Sequence, residues 1–460
     1  MIVTSGVEAS RDETAEERSR PHSGPKAQSE APALGNRKIL IDTYNLRLTQ
    51  GSGIKTYGLT LIDLLRNLGA EVSLLGDRPV PGTRDNALAE VLFYDQAVGE
   101  RRWKRLFRQL RRGMQTMVAT VSPVEIQRQF VLPDEPMRAV RGINRFYNVG
   151  HIYESANQAF KRFGRFTRVK LPHRADIWHA TTLLPIQVKG AAMVTTIHDL
   201  IPLRLPYTTL DDKRFFFNLT KAVVKRSDLI LTVSECSKRD VQLFFDVPDD
   251  KIAVTYQPVP FKRYRPDARA EEAALKRYQL DRGRYVLFVG NIEPKKNLVA
   301  VIKAISSIGD DLVLVVVGRK GWLWQEQIEL AASYFGERGM KRRFRLLDFV
   351  QREDLRALYA NALCLAFPSL YEGFGLPPLE AMAHGCPVVA SDAASLPEIC
   401  GEAASYCDPY DPESIRLRIE ELLNEPARRH LLIEAGYQRI EHFAPERMAQ
   451  RLLKAYSRVL

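Results

Sequence analysis

Two carboxylates flank a glycine-rich turn near the end of the chain. Glu372 precedes the tripeptide Gly373-Phe374-Gly375, and Glu380 follows it in a predicted helix that starts near Leu376. Glycines allow unusual dihedral angles and close backbone approach. The N–H groups at a helix N-terminus bind phosphate, and an acidic residue can hold ribose hydroxyls. The turn therefore predicts a nucleotide site, although an ordinary strand-to-helix turn of an α/β protein remains open.

The whole string from 367 to 398 resembles the Glu-x7-Glu signature of retaining glycosyltransferases with the GT-B fold, in particular the large family numbered four. The resemblance covers the chain from about Lys38 onward and is strongest from 285 to 409. It implies that Glu380 binds the ribose of a sugar nucleotide and that Glu372 faces the donor sugar and its phosphate. The amides of the residues after Glu372, from Gly373 through Phe374 and Gly375 to Leu376, would hold the diphosphate.

Two adjacent lysines follow a second glycine. Gly290 ends a predicted strand, and Lys295 and Lys296 lie in the loop after it. Compact positive charge beyond a strand end suits a diphosphate, whereas the alternative is a solvated loop with surface lysines. In the family that this chain resembles, the lysine matching Lys296 binds phosphate, while Asn291 stands where many relatives have arginine. The same resemblance puts the backbone near Val350 against the nucleotide base.

Two histidines in the first half each end a predicted strand. His179 and His198 read most simply as hydrogen-bonded structural residues. The family resemblance instead implies catalytic or acceptor-side roles, with His179 contacting the sugar and His198 contacting the acceptor or ordering the cleft. Gly51 and Gly53 resemble the loop that meets the donor phosphate from the opposite side of the cleft.

Alternating strand and helix patterns must position these residues. They predict an α/β fold with two Rossmann-like, doubly wound domains facing a cleft. The first domain is expected at 37–260, with a basic insertion at about 95–172, and the second at 261–438 after a Pro-rich linker. A C-terminal helix at 439–460 can cross back to the first domain. Residues 1–36 are polar and predict a disordered tail without a secretion signal.

Composition limits the class of protein. The 460 residues are 45% hydrophobic and 27% charged, and no apolar run reaches the roughly 18–20 residues that span a bilayer. The five cysteines are odd in number and never spaced as Cys-x-x-Cys, which indicates reduced thiols without a zinc site. We therefore expect a cytoplasmic protein that needs neither a metal nor a cofactor.

The positive charge is concentrated in the basic window, residues 95–172. Between Arg101 and Lys170 there are 16 Lys and Arg against 4 Asp and Glu, whereas the remainder of the chain is balanced. Aromatic residues alternate with arginines at 101–112, and a second mixed patch covers 160–166. These patches predict either an amphipathic helix packed on its own domain or a site for an anionic membrane surface at the inner face of the plasma membrane. Nucleic acid is not an expected partner, because no binding motif accompanies the charge.

Together these features predict a retaining glycosyltransferase that moves a sugar from a nucleotide donor to a glycan or lipid-linked acceptor. The wording of the motifs resembles bacterial mannosyltransferases of polysaccharide and lipopolysaccharide biosynthesis, which favours GDP-mannose, with UDP-glucose and similar donors still open. A NAD-type dehydrogenase is disfavoured because the Gly-x-Gly-x-x-Gly pattern is missing. The remaining alternative is a non-catalytic, membrane-docking protein that binds sugar nucleotides.

Overall fold

The computed structural model describes residues 34–46, 53–78, 88, 90, 91, 120–126, 143–260, 262–309 and 311–460. The predictions on residues 1–33, on Gly51 and on the patch 101–112 lie outside these residues. The predicted tail ends earlier than expected, because Leu34 is buried and its N–H donates to the carbonyl of Leu68. Residues 34–36 are therefore part of the first domain.

The first domain is built on an eight-stranded sheet in the order β11-β10-β9-β7-β1-β2-β5-β4, parallel except for β4. A small parallel sheet, β3-β6-β8, lies beside it. The strands are β1 Lys38–Asp42, β2 Glu71–Gly76, β3 Thr120–Val121, β4 Val124–Ile126, β5 Arg145–Asn148, β6 Thr167–Val169, β7 Ile177–Ala180, β8 Ile186–Val188, β9 Ala192–Ile197, β10 Leu229–Thr232 and β11 Ile252–Val254. The described helices are Gly53–Asn67, Ile152–Phe163, Ile201–Arg204, Lys213–Arg226 and Glu235–Phe245.

The described part of the basic window belongs to this architecture. The window was expected to interrupt the alternation of strands and helices, but it supplies β4 and β5 to the main sheet and the helix Ile152–Phe163. Phe160 and Phe166 are buried and pack edge-on at 5.8 Å. Two of the three aromatic residues of the second patch are thus interior and cannot contact a membrane surface.

The second domain is a six-stranded, fully parallel sheet in the order β14-β13-β12-β15-β16-β17. Its central strands are almost continuously apolar, as expected for a sheet covered on both faces. The strands are β12 Tyr285–Val289, β13 Val313–Val317, β14 Phe344–Leu347, β15 Cys364–Phe367, β16 Val388–Ser391 and β17 Ser405–Cys407. The helices are Ala268–Tyr278, Leu298–Ser306, Trp324–Arg343, Arg352–Asn361, Leu376–Ala383, Leu396–Cys400, Pro412–Asn424 and Pro426–Ile440.

The last helix, Pro445–Tyr456, returns to the first domain. The predicted boundary at 438 falls inside the preceding helix, and the crossing begins only at Pro445. Buried Met448, Leu452 and Tyr456 recur every four residues and form one apolar face. They join a hydrophobic cluster that contains side chains of both domains. Within the described residues, the helices are too short or too polar to cross a membrane.

Candidate functional site

The Glu372 loop, residues 368–375, connects β15 to the helix Leu376–Ala383. Gly375 has φ 104°, in the left-handed region that favours glycine. No described side chain caps the helix, and Pro377 and Pro378 carry no N–H groups. The donors at this end are therefore the amide of Leu376 and those of the loop itself.

Serines from elsewhere fix the carbonyl groups of the loop. The Ser395 hydroxyl donates to the carbonyl oxygens of Glu372 (2.8 Å) and Phe374 (3.0 Å). The Ser234 hydroxyl, from the first domain, donates to the carbonyl oxygen of Gly373 at 2.6 Å. In a trans peptide the N–H points away from the carbonyl of the same unit. The three N–H groups that share peptide units with these carbonyls are therefore turned away from the serines. The sequence motif identified the glycines but not the serines that orient them.

The lysine predicted to bind phosphate contacts the predicted sugar-facing glutamate. Lys296 Nζ lies 2.5 Å from Glu372 Oε1 and 4.9 Å from the centre of the Phe367 ring. Burial alone would raise the pKa of Glu372, but Lys296 and Lys295 outweigh it and hold this pKa below its usual value. Burial likewise opposes the charge on Lys295, yet Glu372 and Glu293 keep its pKa raised. Glu372 and Lys295 are therefore both charged at neutral pH.

Gly290 lies against this pair. It has φ 151°, and the nearest side-chain atoms are the methylenes of Lys296. A Cβ at Gly318, beyond β13, would lie 1.8 Å from the carbonyl oxygen of Gly290. The Asn297 amide donates to the carbonyls of Pro368 (3.0 Å) and Pro409 (2.6 Å). These contacts bring the loops after β12, β13 and β15 together at the carboxyl edge of the second sheet, where parallel α/β folds bind ligands.

Glu380 stands farther along the same helix and is half-buried. The Tyr359 hydroxyl donates to Glu380 Oε2 at 3.5 Å. Burial raises the pKa of Glu380, and Arg352 opposes this only in part. Val350 packs its side chain on the core that includes this helix, which leaves its backbone as the part that can meet a ligand.

His179 does not reach the cleft. Its side chain is fully buried, with Nδ1 2.7 Å from the Tyr456 hydroxyl and Nε2 2.7 Å from Thr196 Oγ1. Burial lowers the pKa of His179 to about 3, which keeps the ring neutral. Both ring nitrogens are occupied by protein groups. The structure thus gives His179 an interior position that ties the last helix to the first sheet, in contrast to the predicted sugar contact.

His198 lies directly opposite the Glu372 loop. Its Nε2 donates to the Thr181 carbonyl at 2.9 Å, and its ring packs edge-on against Tyr57. Burial lowers the pKa of His198. A Cβ at Gly373 would lie 2.4 Å from the His198 carbonyl oxygen and 2.8 Å from the Cβ of Asp199. The next residue, Asp199, also faces the second domain, and its carboxylate helps to raise the pKa of Lys295 across the cleft.

Gly53 begins the helix Gly53–Asn67, where its carbonyl accepts from Gln257 Nε2 at 3.0 Å. The cysteines all lie in described segments, and each is a buried free thiol. Over the same segments, no three His, Cys, Asp or Glu side chains converge in a way that could hold a metal ion.

Comparison with known proteins identifies the family of this chain. Residues 271–439 match the family model of glycosyl transferases group 1, and residues 51–263 match glycosyltransferase family 4. The O-antigen chain mannosyltransferase B of Escherichia coli is 34% identical over 61% of this chain and 74% of its own length. The serotype-specific mannosyltransferase WbdA of Escherichia coli is 33% identical over 51% of this chain, which spans only 29% of that relative.

A solved structure supports the same fold. Anabaena HepE, in complex with UDP and glucose, superimposes with a TM-score of 0.61 at 15% identity, over 92% of this chain and 99% of that one. The sequence matches and the fold agree with each other on both halves of the molecule. The chain therefore belongs to the group 1 glycosyltransferases of family four and has their GT-B architecture of two Rossmann-like domains.

Proposed function

We propose that this glycosyltransferase is a retaining, metal-independent mannosyltransferase that moves mannose from GDP-mannose to a bacterial surface polysaccharide. The observation that carries the proposal is the contact between Lys296 and Glu372 beside the turned amides of the Glu372 loop. The curated relatives support the sugar, because their names describe O-antigen mannosyltransferases.

The charges of the site suit departure of a nucleoside diphosphate. As the bond between the anomeric carbon and the phosphate oxygen breaks, negative charge grows on that oxygen. In this proposal Lys295, Lys296 and the amide of Leu376 supply the preorganised positive charge that stabilises it. Glu380, held by Tyr359, is suited to accept hydrogen bonds from the ribose hydroxyls.

Glu372 acts as a hydrogen-bond acceptor in this proposal. Its lowered pKa keeps it ionised, so it can orient a sugar hydroxyl but cannot supply a proton. We propose a same-face displacement in which the acceptor oxygen bonds to the anomeric carbon on the side from which the diphosphate leaves. The acceptor proton passes to the departing phosphate oxygen. Because the new bond forms on the face from which the old bond breaks, the anomeric configuration is conserved.

A panel of nucleotide sugars tests the donor. We expect the purified protein to turn over GDP-mannose and to release GDP. Lys296→Ala should lower kcat by about 10²–10³-fold, the loss typical of removing one stabilising group, and Glu380→Ala should mainly raise the donor KM. Lys276→Ala, an exposed lysine of the same domain, is the matched control. Turnover of UDP-glucose in preference to GDP-mannose would overturn the donor, and unchanged transfer by both site variants would overturn the enzyme mechanism.

We also propose that the protein works at the cytoplasmic face of the membrane, on a glycan whose other end is lipid-linked. At the end of the helix Ile152–Phe163, the cationic residues Arg162 and Arg165 are exposed beside Phe163, which is 41% exposed. Cationic and aromatic groups on one surface bind anionic lipid.

Vesicle flotation tests this second proposal. We expect recruitment to vesicles that contain phosphatidylglycerol, weakening as salt rises because charge pairing is screened. Arg162→Glu with Arg165→Glu should reduce it, whereas Arg338→Glu in the second domain should not. Equal flotation with neutral and anionic vesicles would contradict a lipid-binding role.

A further inference from the structure

A cavity of about 460 Å³ opens in the first domain, apart from the Glu372 loop. Its size is within the range of small-ligand sites, about 300–1,000 Å³. One wall is formed by Tyr44 after β1 and Asp77 after β2. The other wall is formed by the helix Ile152–Phe163 and by Phe215.

The sheet order relates this cavity to the cleft. His198 follows β9, and passing from β9 across the sheet one meets β7, then β1, then β2. These strands are parallel, so their carboxyl ends lie on one edge. With neighbouring strands about 4.8 Å apart, Tyr44 and Asp77 lie two and three strands from His198, roughly 10–15 Å away. A ligand that reaches from His198 into the cavity must be longer than one sugar ring.

The aromatic walls suit the apolar faces of sugar rings. Tyr44 is 38% exposed, and its ring is held edge-on against Tyr153 at 5.4 Å. Tyr153 is itself fixed, because its hydroxyl donates to the Leu75 carbonyl. On the opposite wall, Phe215 packs against Phe160 at 6.1 Å. Rings fixed in this way offer rigid contact area at little entropic cost.

The polar lining favours hydroxyl groups over phosphate. Asp77 and Glu154 contribute two carboxylates. Lys161 is the one lysine or arginine among the described lining residues, and its Nζ is already 2.8 Å from the Asp212 carboxylate. The buried Oδ1 of Asn157 has no hydrogen-bond partner in the described part of the chain, and such an acceptor gains from a hydroxyl donor. Among the described lining residues, the single cation is thus already paired and poorly placed to bind a phosphate or diphosphate, whereas the aromatic rings and the Asn157 acceptor suit a neutral polyol.

From these features we infer that the cavity binds the uncharged glycan portion of the acceptor, set back from the reacting sugar, and does not bind a lipid diphosphate. This rests on the proposed mannosyl transfer, in which we take the acceptor to react beside His198, opposite the Glu372 loop. If the cavity binds the glycan in this way, Tyr44 is a residue that selects acceptors by length.

Acceptors of two lengths test the inference. With GDP-mannose as donor, Tyr44→Ala should raise KM for α-mannotetraose about 5–10-fold, the effect of losing one aromatic contact. The KM for methyl α-mannoside and the KM for the donor should not change. Tyr334→Ala, an exposed tyrosine of the second domain, is the control. An equal effect on both acceptors, or none on the tetraose, would overturn the assignment.

Direct binding separates this inference from the proposed donor. Saturation-transfer NMR with α-mannotetraose, without any donor, should show contact with the wild type and weaker contact with Tyr44→Ala and Asn157→Ala, and added inorganic pyrophosphate should not displace the tetraose. If GDP-mannose is not turned over but this pattern holds, the donor proposal fails and the glycan site stands. If GDP-mannose is turned over and the tetraose binds wild type and variants equally, the glycan site fails alone. Displacement of the bound tetraose by pyrophosphate would overturn the choice of an uncharged ligand.

Discussion

Glu372 and Glu380 are chemically identical residues eight positions apart, yet their surroundings push their pKa values in opposite directions. Burial acts on both, but two lysines beside Glu372 more than offset it, while Arg352 only partly offsets it at Glu380. The sequence motif identified both glutamates, and the adjacent lysines were visible too. The contact between Lys296 and Glu372 was not, since it joins residues 76 positions apart.

Tyr359 is expected to orient Glu380. It is fully buried, and its hydroxyl donates to Glu380 Oε2. Tyr359→Phe should raise the donor KM about 3–10-fold, the value of one hydrogen bond, with little change in kcat. Tyr334→Phe, at an exposed site, should be silent.

The informative measurement is the ratio of affinities for GDP and 2′-deoxy-GDP. If Tyr359 acts through Glu380 and the ribose, Tyr359→Phe should shrink the preference for GDP. An equal loss of affinity for both nucleotides would mean that the tyrosine only supports the fold.

At the level of elements, much of the α/β alternation could be read from the sequence, because buried parallel strands such as β12 and β13 are continuous apolar runs. Which strand ends face the cleft could not be read in this way. His179 and His198 end neighbouring strands, β7 and β9, and look equivalent in sequence. They differ because Tyr456, 277 residues away, covers His179, and that contact has no local signature.

His179 should make stability depend on pH. Its pKa is about 3 when folded and near 6.5 when unfolded, so below pH 6.5 the unfolded chain binds a proton that the folded protein excludes. The contribution of His179 to the free energy of unfolding is therefore complete above pH 6.5 and is lost as the pH falls toward 3. At pH 5 the loss is about 2 kcal/mol. In urea unfolding at pH 7.5 and 5, His179→Gln should be less stable at pH 7.5 but lose less on acidification. His442→Gln, at an exposed histidine, should follow the wild type, and parallel profiles for all three proteins would contradict this assignment.

At the scale of the molecule, the two domains meet beside the site through specific polar contacts. Glu398 accepts hydrogen bonds from the N–H groups of Glu235 (2.7 Å) and Cys236 (3.0 Å), at the start of a first-domain helix. Tyr371, next to Glu372, donates to Asp240 at 2.5 Å. The sequence predicted a cleft between two domains, but it did not identify these contacts, because each joins residues more than 100 positions apart.

Gly373 should be essential for this arrangement. In Gly373→Ala the new methyl would meet the carbonyl oxygen of His198 at 2.4 Å, so the domains must separate. We expect transfer to fall by about 10²-fold, the loss that a misplacement near 1 Å can cause, with a larger radius of gyration by small-angle X-ray scattering. Gly309→Ala, which has open space around it, should be neutral. Full activity of Gly373→Ala at an unchanged radius would show that close contact is not required.

The returning helix Pro445–Tyr456 has a consequence for biosynthesis. A ribosome that has just added His179 must add 277 more residues before Tyr456 exists to cover it. At about 5–20 residues per second, that interval is roughly 15–55 s. During this time the nascent first domain exposes the apolar surface that Met448, Leu452 and Tyr456 later bury. The first domain is therefore translated first, but its apolar surface is covered only after the last helix has been made. A chain stalled before Pro445 presents that surface to chaperones and proteases.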